Sequence, residues 1–218
     1  VGQDRKRGRG RLNALKTAIA EGLGLTDTPS LFSGSASPRK ARIVVGFSGG
    51  RDSVALLNAL CLLKQKRHSL IDEILAVHVH HALSPNANKW AKFCREMAQN
   101  LNVPFKVTYV TVKTTGEGIE AAARKARYEA LVKAAKAFDA SMIMTAHHEE
   151  DRLETFLIQW MRGAGVEGLA TFPLVRETDG VVLVRPWLHI ARPLLERFLE
   201  LKNLSWVDDE SNADTTYL

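Results

Sequence analysis

The sequence predicts an α/β domain, a parallel sheet with helices on both faces in a Rossmann-like arrangement, and three observations support this. From residue 42 onward, short runs rich in Val and Ile alternate with segments of helical length, the order that builds parallel strands joined by crossover helices. The first run leads directly into Gly46-Phe-Ser-Gly-Gly-Arg-Asp-Ser53, a turn rich in glycine and hydroxyls at the junction of strand and helix. With 218 residues, 45% of them hydrophobic, the chain can bury one sizeable core and carry a tail.

Taken in order, residues 1–40 read as a basic arm. Arg5, Lys6, Arg7, Arg9 and Arg11 open it, LNALKTAIAEGL suits one short helix, and TDTPSLFSGSASPRK is loop-like. Residues 41–218 form the expected domain. RIVVGF precedes a helix at 53–65, EILAVHV one at 87–101, FKVTYV one at 118–138 and SMIMTA one at 150–162; GVVLVRPW and a helix at 193–202 follow. The net charge of +6 mildly favours phosphate-bearing partners. Cys61 and Cys94 form no Cys-x-x-Cys pair, which argues against a disulfide framework or zinc ribbon and suits a reducing cytoplasm. No run approaches the ~18 apolar residues of a membrane span.

In sheets of this kind ligands bind beyond the carboxyl ends of the strands, so the loops after the strands should carry the chemistry. In the first loop, Gly49 and Gly50 allow close approach by a ligand, Ser48 and Ser53 offer hydroxyls, and the next helix points its free N–H groups at the turn. That composition suits a phosphate cradle. Asp52 would repel a polyphosphate unless a cation such as Mg²⁺ lay between them; the plainer alternative is a helix cap. The Gly-Lys-Ser/Thr ending of the Walker loop is absent. Five of the seven histidines, His78, His80, His81, His147 and His148, lie after the second and fourth strands. They suit either a zinc site completed by Asp151 or polar groups lining a nucleotide cleft. On the long helix Arg124 neighbours Arg127 and Tyr128, a pairing suited to phosphate or carboxylate.

Ser48-Gly-Gly-Arg-Asp-Ser53 resembles the Ser-Gly-Gly-x-Asp-Ser signature of the N-type ATP pyrophosphatases, which split ATP into AMP and pyrophosphate. With HVHHALSPNA, GIEAAARKARYEAL, TAHHEEDRLETFL, RGAGVEGLATFP, RPWL and WVDDESNAD in order behind it, the chain resembles the bacterial tRNA(Ile)-lysidine synthases. The resemblance implies the adenine-nucleotide alpha-hydrolase type of fold. It also implies ATP-dependent adenylation of the wobble cytidine of the CAU anticodon of tRNA(Ile), followed by displacement of AMP by L-lysine. Matched by motif, Ser48, Gly49, Gly50, Asp52 and Ser53 would hold the ATP phosphates, and Asp52 and Asp151 would hold Mg²⁺. Arg124 and Arg127 would bind the α-phosphate region or the substrate, and His147 would lie beside the reacting centre. Adenine would rest near Ala76, Val77 and His78, while Arg162, Gly163, Ala164 and Gly165 would shape the lysine entrance. Glu150, Arg152 and Ala82 depart from the family pattern. The chain stops before the family's Arg-Asn-x-x-Arg segment and C-terminal tRNA-binding domains. Another ATP pyrophosphatase, such as a tRNA thiolase, and more distantly a zinc hydrolase are the competing expectations.

Overall fold

The computed structural model describes residues 40–67, 69–81, 84–112, 119–148 and 173–208, together with Thr17. Strands β1 (Ala41–Gly46), β2 (Ile71–His80), β3 (Phe105–Tyr109) and β4 (Met142–Met144) alternate with helices α1 (Arg51–Lys64), α2 (Ala87–Asn100) and α3 (Ile119–Ala137). Strands β5 (Val175–Thr178) and β6 (Val181–Val184) and helix α4 (Arg192–Lys202) complete the order. The six strands line up as β3-β2-β1-β4-β6-β5. All neighbours are parallel except β5 with β6.

The period of two along the strands sorts the core into two layers. Ile43, Val45, Ile74, Ala76, Met142 and Met144 face the side covered by α1, α2 and α4. Val44, Val77, Ile143 and Leu183 face the other side, where Leu131, Ala134 and Ala135 of α3 pack. Helices therefore cover both faces of a mostly parallel sheet, as expected.

Three differences from the sequence reading have local causes. The strand order adds β5 as an antiparallel edge, joined to β6 by a two-residue turn at Asp179 and Gly180 with φ of 50° and 76°. Two successive positive φ values favour an Asp-Gly pair, so the hairpin signal was present in ETDGVV. Second, β2 runs to His80, beyond the expected EILAVHV, because His78, Val79 and His80 pair with Val107, Thr108 and Tyr109 of β3. Third, the N-cap of α1 is Gly50, with no side-chain capping bond, so Asp52 sits inside the first turn and is not the cap. The expected helix at 150–162 lies outside the described residues, as does the short helix of the arm apart from Thr17. No described helix is long and apolar enough to cross a membrane.

Candidate active site

The chain lays down β1, β2 and β3 side by side, then returns to place β4 on the other flank of β1. The strand order therefore reverses between β1 and β4, and ligands of open α/β sheets bind at such a point. The turn after β1 and residues 145–148 after β4 both open there.

The turn is held by its own side chains. Gly49 N–H donates to Ser53 Oγ at 3.1 Å and Gly50 N–H to Ser48 Oγ at 3.3 Å, while Ser53 Oγ donates to the Gly50 carbonyl at 2.8 Å. Ser53 is buried and fixes the turn from inside; Ser48 is exposed and faces outward. The first backbone bond of α1 runs from Val54 N–H to the Gly50 carbonyl, so the N–H groups of the first turn precede the helix ladder and aim at the cleft.

Gly49 is required twice over. Its φ is 90°, and a Cβ there would stand 2.8 Å from Cys94 Sγ and 3.0 Å from Val207 Cγ2. At Gly50 the nearest atom to such a Cβ would be Ser48 Oγ at 3.4 Å. Gly49→Ala is therefore expected to destabilise the protein by about 1–3 kcal/mol. Gly50→Ala should stay within roughly 1 kcal/mol of the parent. Chemical denaturation of the two variants side by side checks this, and equal midpoints would contradict it.

Asp52 faces the other wall of the cleft. Its Oδ2 lies 3.4 Å from Nε2 of His148, which is almost fully buried, and its Oδ1 is buried with no hydrogen-bond partner among the described residues. Arg192 Nη2 donates to the same His148 Nε2 at 3.0 Å, so that nitrogen serves as an acceptor and is not free to donate to the carboxylate. Asp52 thus presents a carboxylate oxygen that no described residue satisfies, which suits a hard divalent cation such as Mg²⁺. The backbone beneath it is pinned by Trp187, whose Nε1–H donates to the Asp52 carbonyl at 3.2 Å, and Arg51 pairs with Glu196 of α4.

On the α3 side, the wall is made of arginine and neutral histidine. Tyr128 stacks on His147 with centroids 6.4 Å apart, and the Arg124 guanidinium lies 5.9 Å from the Tyr128 ring centroid. Arg185, directly after β6 and almost fully buried, donates to the Pro173 carbonyl at 2.7 Å and to the Tyr128 hydroxyl at 3.4 Å. His147 Nδ1 and Thr145 Oγ1 share a bond of 2.9 Å. Withdrawal from water, and then the charges of Arg124, Arg185 and Arg127, push the His147 pKa down to about 3. His81, likewise desolvated and beside Arg127, falls to about 4.

Both histidines stay neutral in the fold but take up protons in the unfolded chain below about pH 6.5. Because the unfolded state then binds more protons, stability is full above pH 6.5 and falls as the pH drops toward the folded values. Melting temperature is expected to decline from pH 6.5 to pH 4, and His147→Gln should flatten part of that decline. An identical profile for the variant would remove His147 from the account.

The remaining sequence-derived candidates separate. His78 donates through Nδ1 to the Phe47 carbonyl at 3.0 Å, and His80 through Nε2 to Asn88 Oδ1 at 3.1 Å, both on the α2 side. His147 turns toward Tyr128 on the opposite face. Among the described residues no three His, Cys, Asp or Glu side chains gather as a metal-holding group. The residues expected near adenine lie in β2. Ala76 and Val77 are fully buried in mid-strand, with the Ala76 N–H bonded to the Pro104 carbonyl and the Val77 carbonyl accepting from Phe47 N–H. His78 and His80 are also buried, and His81, directly after β2, is half-buried. Asp151, Arg162, Gly163, Ala164 and Gly165 lie outside the described residues. Arg185, Arg192 and Cys94 were missed. Arg185 follows a strand at the cleft edge, the same signal that marked the other loops.

The sequence profile of the PP-loop domain matches residues 28–218. The chain is 46% identical over 175 residues to a tRNA(Ile)-lysidine synthase of Chromobacterium violaceum, covering 79% of this chain and 39% of that protein. It is 41% identical over 180 residues to one from Histophilus somni strain 129Pt, covering 83% and 41%. The chain thus spans about two fifths of the length of these curated relatives. Among solved structures, the U34-tRNA thiolase NcsA from Methanococcus maripaludis superposes with a TM-score of 0.74 at 13% identity, over 92% of this chain and 67% of that one. An NH3-dependent NAD synthetase from Campylobacter jejuni gives 0.53 at 16%, over 90% and 74%. At these identities the two structures share the fold alone. A profile match across most of the chain, on a sheet whose switch point carries the glycine-serine turn, shows that the chain belongs to the PP-loop domain family.

Proposed function

We propose that this chain is the ATP-using catalytic part of a tRNA(Ile)-lysidine synthase, which joins L-lysine to C2 of the wobble cytidine in the CAU anticodon. One observation carries the reading: identity of 46% to a protein of that name, over a stretch that at 79% of the chain has to include the phosphate turn and α3.

In the first step the C2 oxygen of cytidine attacks the α-phosphorus of ATP, the bond to the β-phosphate oxygen breaks, and pyrophosphate leaves. In the second, the lysine ε-amine bonds to C2, the C2–O bond breaks, AMP leaves, and the amine gives up its proton. At the turn from Ser48 to Ser53, the exposed Ser48 hydroxyl and the first-turn N–H groups of α1 bind pyrophosphate. Asp52 and Asp151 would hold Mg²⁺, which when bound offsets phosphate charge. Arg124 and Arg127 attract the α-phosphate oxygens, Arg185 orients Tyr128, and neutral His147 adds a polar group without opposing the arginines. In-line displacement requires entering and leaving oxygens on opposite sides of phosphorus, so with pyrophosphate at the turn the cytidine enters from the α3 side. Pre-organised charge and position supply the catalysis, and no protein nucleophile is required.

Both cysteines are buried, and burial raises Cys61 to about 11 and Cys94 to about 12, so neither supplies a thiolate for a thiolase reaction. The test is mass analysis of tRNA(Ile) nucleosides after incubation with the protein, ATP, Mg²⁺ and lysine. Lysidine is the expected product; a thiolated base, or ATP cleavage with no change in the tRNA, would refute the proposal.

A further inference from the structure

Five histidines sit at the ends of β2 and β4, and four have a bonding partner close at hand. His78 meets the Phe47 carbonyl, His80 meets Asn88, His147 meets Thr145 and His148 meets Arg192. His81 differs. Nδ1 and Nε2 are both shielded from solvent, and among the described residues neither has a hydrogen-bond partner. The residue directly follows the last residue of β2, at the rim of the cleft, with the Arg127 charge beside it.

We propose that His81 is a ligand-binding residue whose ring completes its hydrogen bonds with a nucleotide group that both donates and accepts, such as a ribose hydroxyl or the edge of a base. A dry imidazole with two unmet nitrogens is a cost to the fold, and a histidine kept for packing would lose nothing by becoming apolar. Withdrawal from water, and then the charge of neighbouring Arg127 and the other histidines, keeps the ring neutral, so it offers one N–H and one lone pair. A phosphate only accepts and would satisfy one nitrogen, leaving the other bare, whereas a hydroxyl or base edge can meet both needs. The proposal rests on the reading of this chain as an enzyme acting on ATP and tRNA. The same chemistry could belong to ATP or to the nucleotide being modified.

His81→Phe and His81→Gln separate these cases. Phe keeps the ring and discards the polar atoms; Gln keeps one donor and one acceptor. Thermal melting, ATP affinity by titration calorimetry with Mg²⁺, and KM for tRNA(Ile) in lysine incorporation are measured for each. His81→Phe should melt at or above the parent temperature yet lose about 10- to 100-fold in one binding constant. Loss in ATP affinity assigns the group to ATP, and loss in KM for tRNA assigns it to the target nucleotide. His81→Gln should recover most of that loss. Parent-like binding of both by His81→Phe would overturn the assignment, as would a melting temperature well below the parent's in both variants. Should His81→Phe fail to fold, a folded His81→Gln with binding weakened more than 100-fold would also count against it. Parent protein that binds neither ATP nor tRNA would overturn the underlying reading, a result distinguishable from failure at His81 alone.

Discussion

Asp52→Asn is expected to leave a folded protein that releases AMP from ATP about 10²–10³-fold more slowly, or not at all. The structure separates this effect from stability. Gly50 is the N-cap of α1 and the Asp52 side chain makes no capping bond, so the substitution loses only the attraction of a carboxylate for the helix start, roughly 0.3–1 kcal/mol. Asn has the same shape and fits between the turn and His148. What it lacks is the anionic oxygen that the described residues leave unsatisfied at Oδ1. A carboxylate beside phosphates is useful only with a cation between them. The variant should therefore bind ATP without Mg²⁺ at least as well as the parent, since one repulsive charge is gone, while gaining little from added Mg²⁺. Calorimetric ATP titrations with and without Mg²⁺, alongside AMP release, test the argument. Parent-like turnover, or an unchanged Mg²⁺ effect on ATP affinity, would show that Asp52 has no part in handling the metal.

The outline of the fold was legible because alternating apolar runs and a glycine-serine turn are local signals, and the expected helices at 87–101 and 193–202 match α2 and α4 to within a residue. What escaped the sequence depends on partners distant along the chain. The end of β2 is set by pairing with β3, which carries the strand one residue past the expected Val79, to His80. On α3, Ile119 is half exposed and the buried face includes Ala123, Ala130, Leu131, Ala134 and Ala135. A helix so rich in alanine offers little contrast between its faces for a periodicity argument to use. The site divides in the same way. Ser48 through Ser53 could be read from composition, but the contact of His148 with Asp52 and Arg192 joins three separate elements, and only the topology reveals it.

Arg127→Gln is expected to slow the adenylation step by about 10²–10³-fold while shifting stability by no more than roughly 0.5 kcal/mol. Arg127 is exposed on the cleft side of α3, so its replacement opens no cavity, in contrast to Arg185, whose removal would strand the Pro173 carbonyl. Its charge has two consequences. It attracts the α-phosphate oxygens as negative charge shifts in the transition state, and it helps to hold His147 and His81 neutral. Removing it should therefore raise both histidine pKa values, which remain below the ordinary 6.5 because desolvation is the larger cause. In NMR titration of the imidazole protons, the variant should show both midpoints displaced upward from the parent values. ATP affinity should fall less than the rate, because the turn at Ser48 to Ser53 still binds the pyrophosphate end. Single-turnover measurement of AMP formation on tRNA at saturating ATP isolates the step. An unchanged rate with displaced histidine midpoints would show that Arg127 shapes the local field without acting on the reacting phosphate, and the α3 side would then lose its place as the wall against which adenylation occurs.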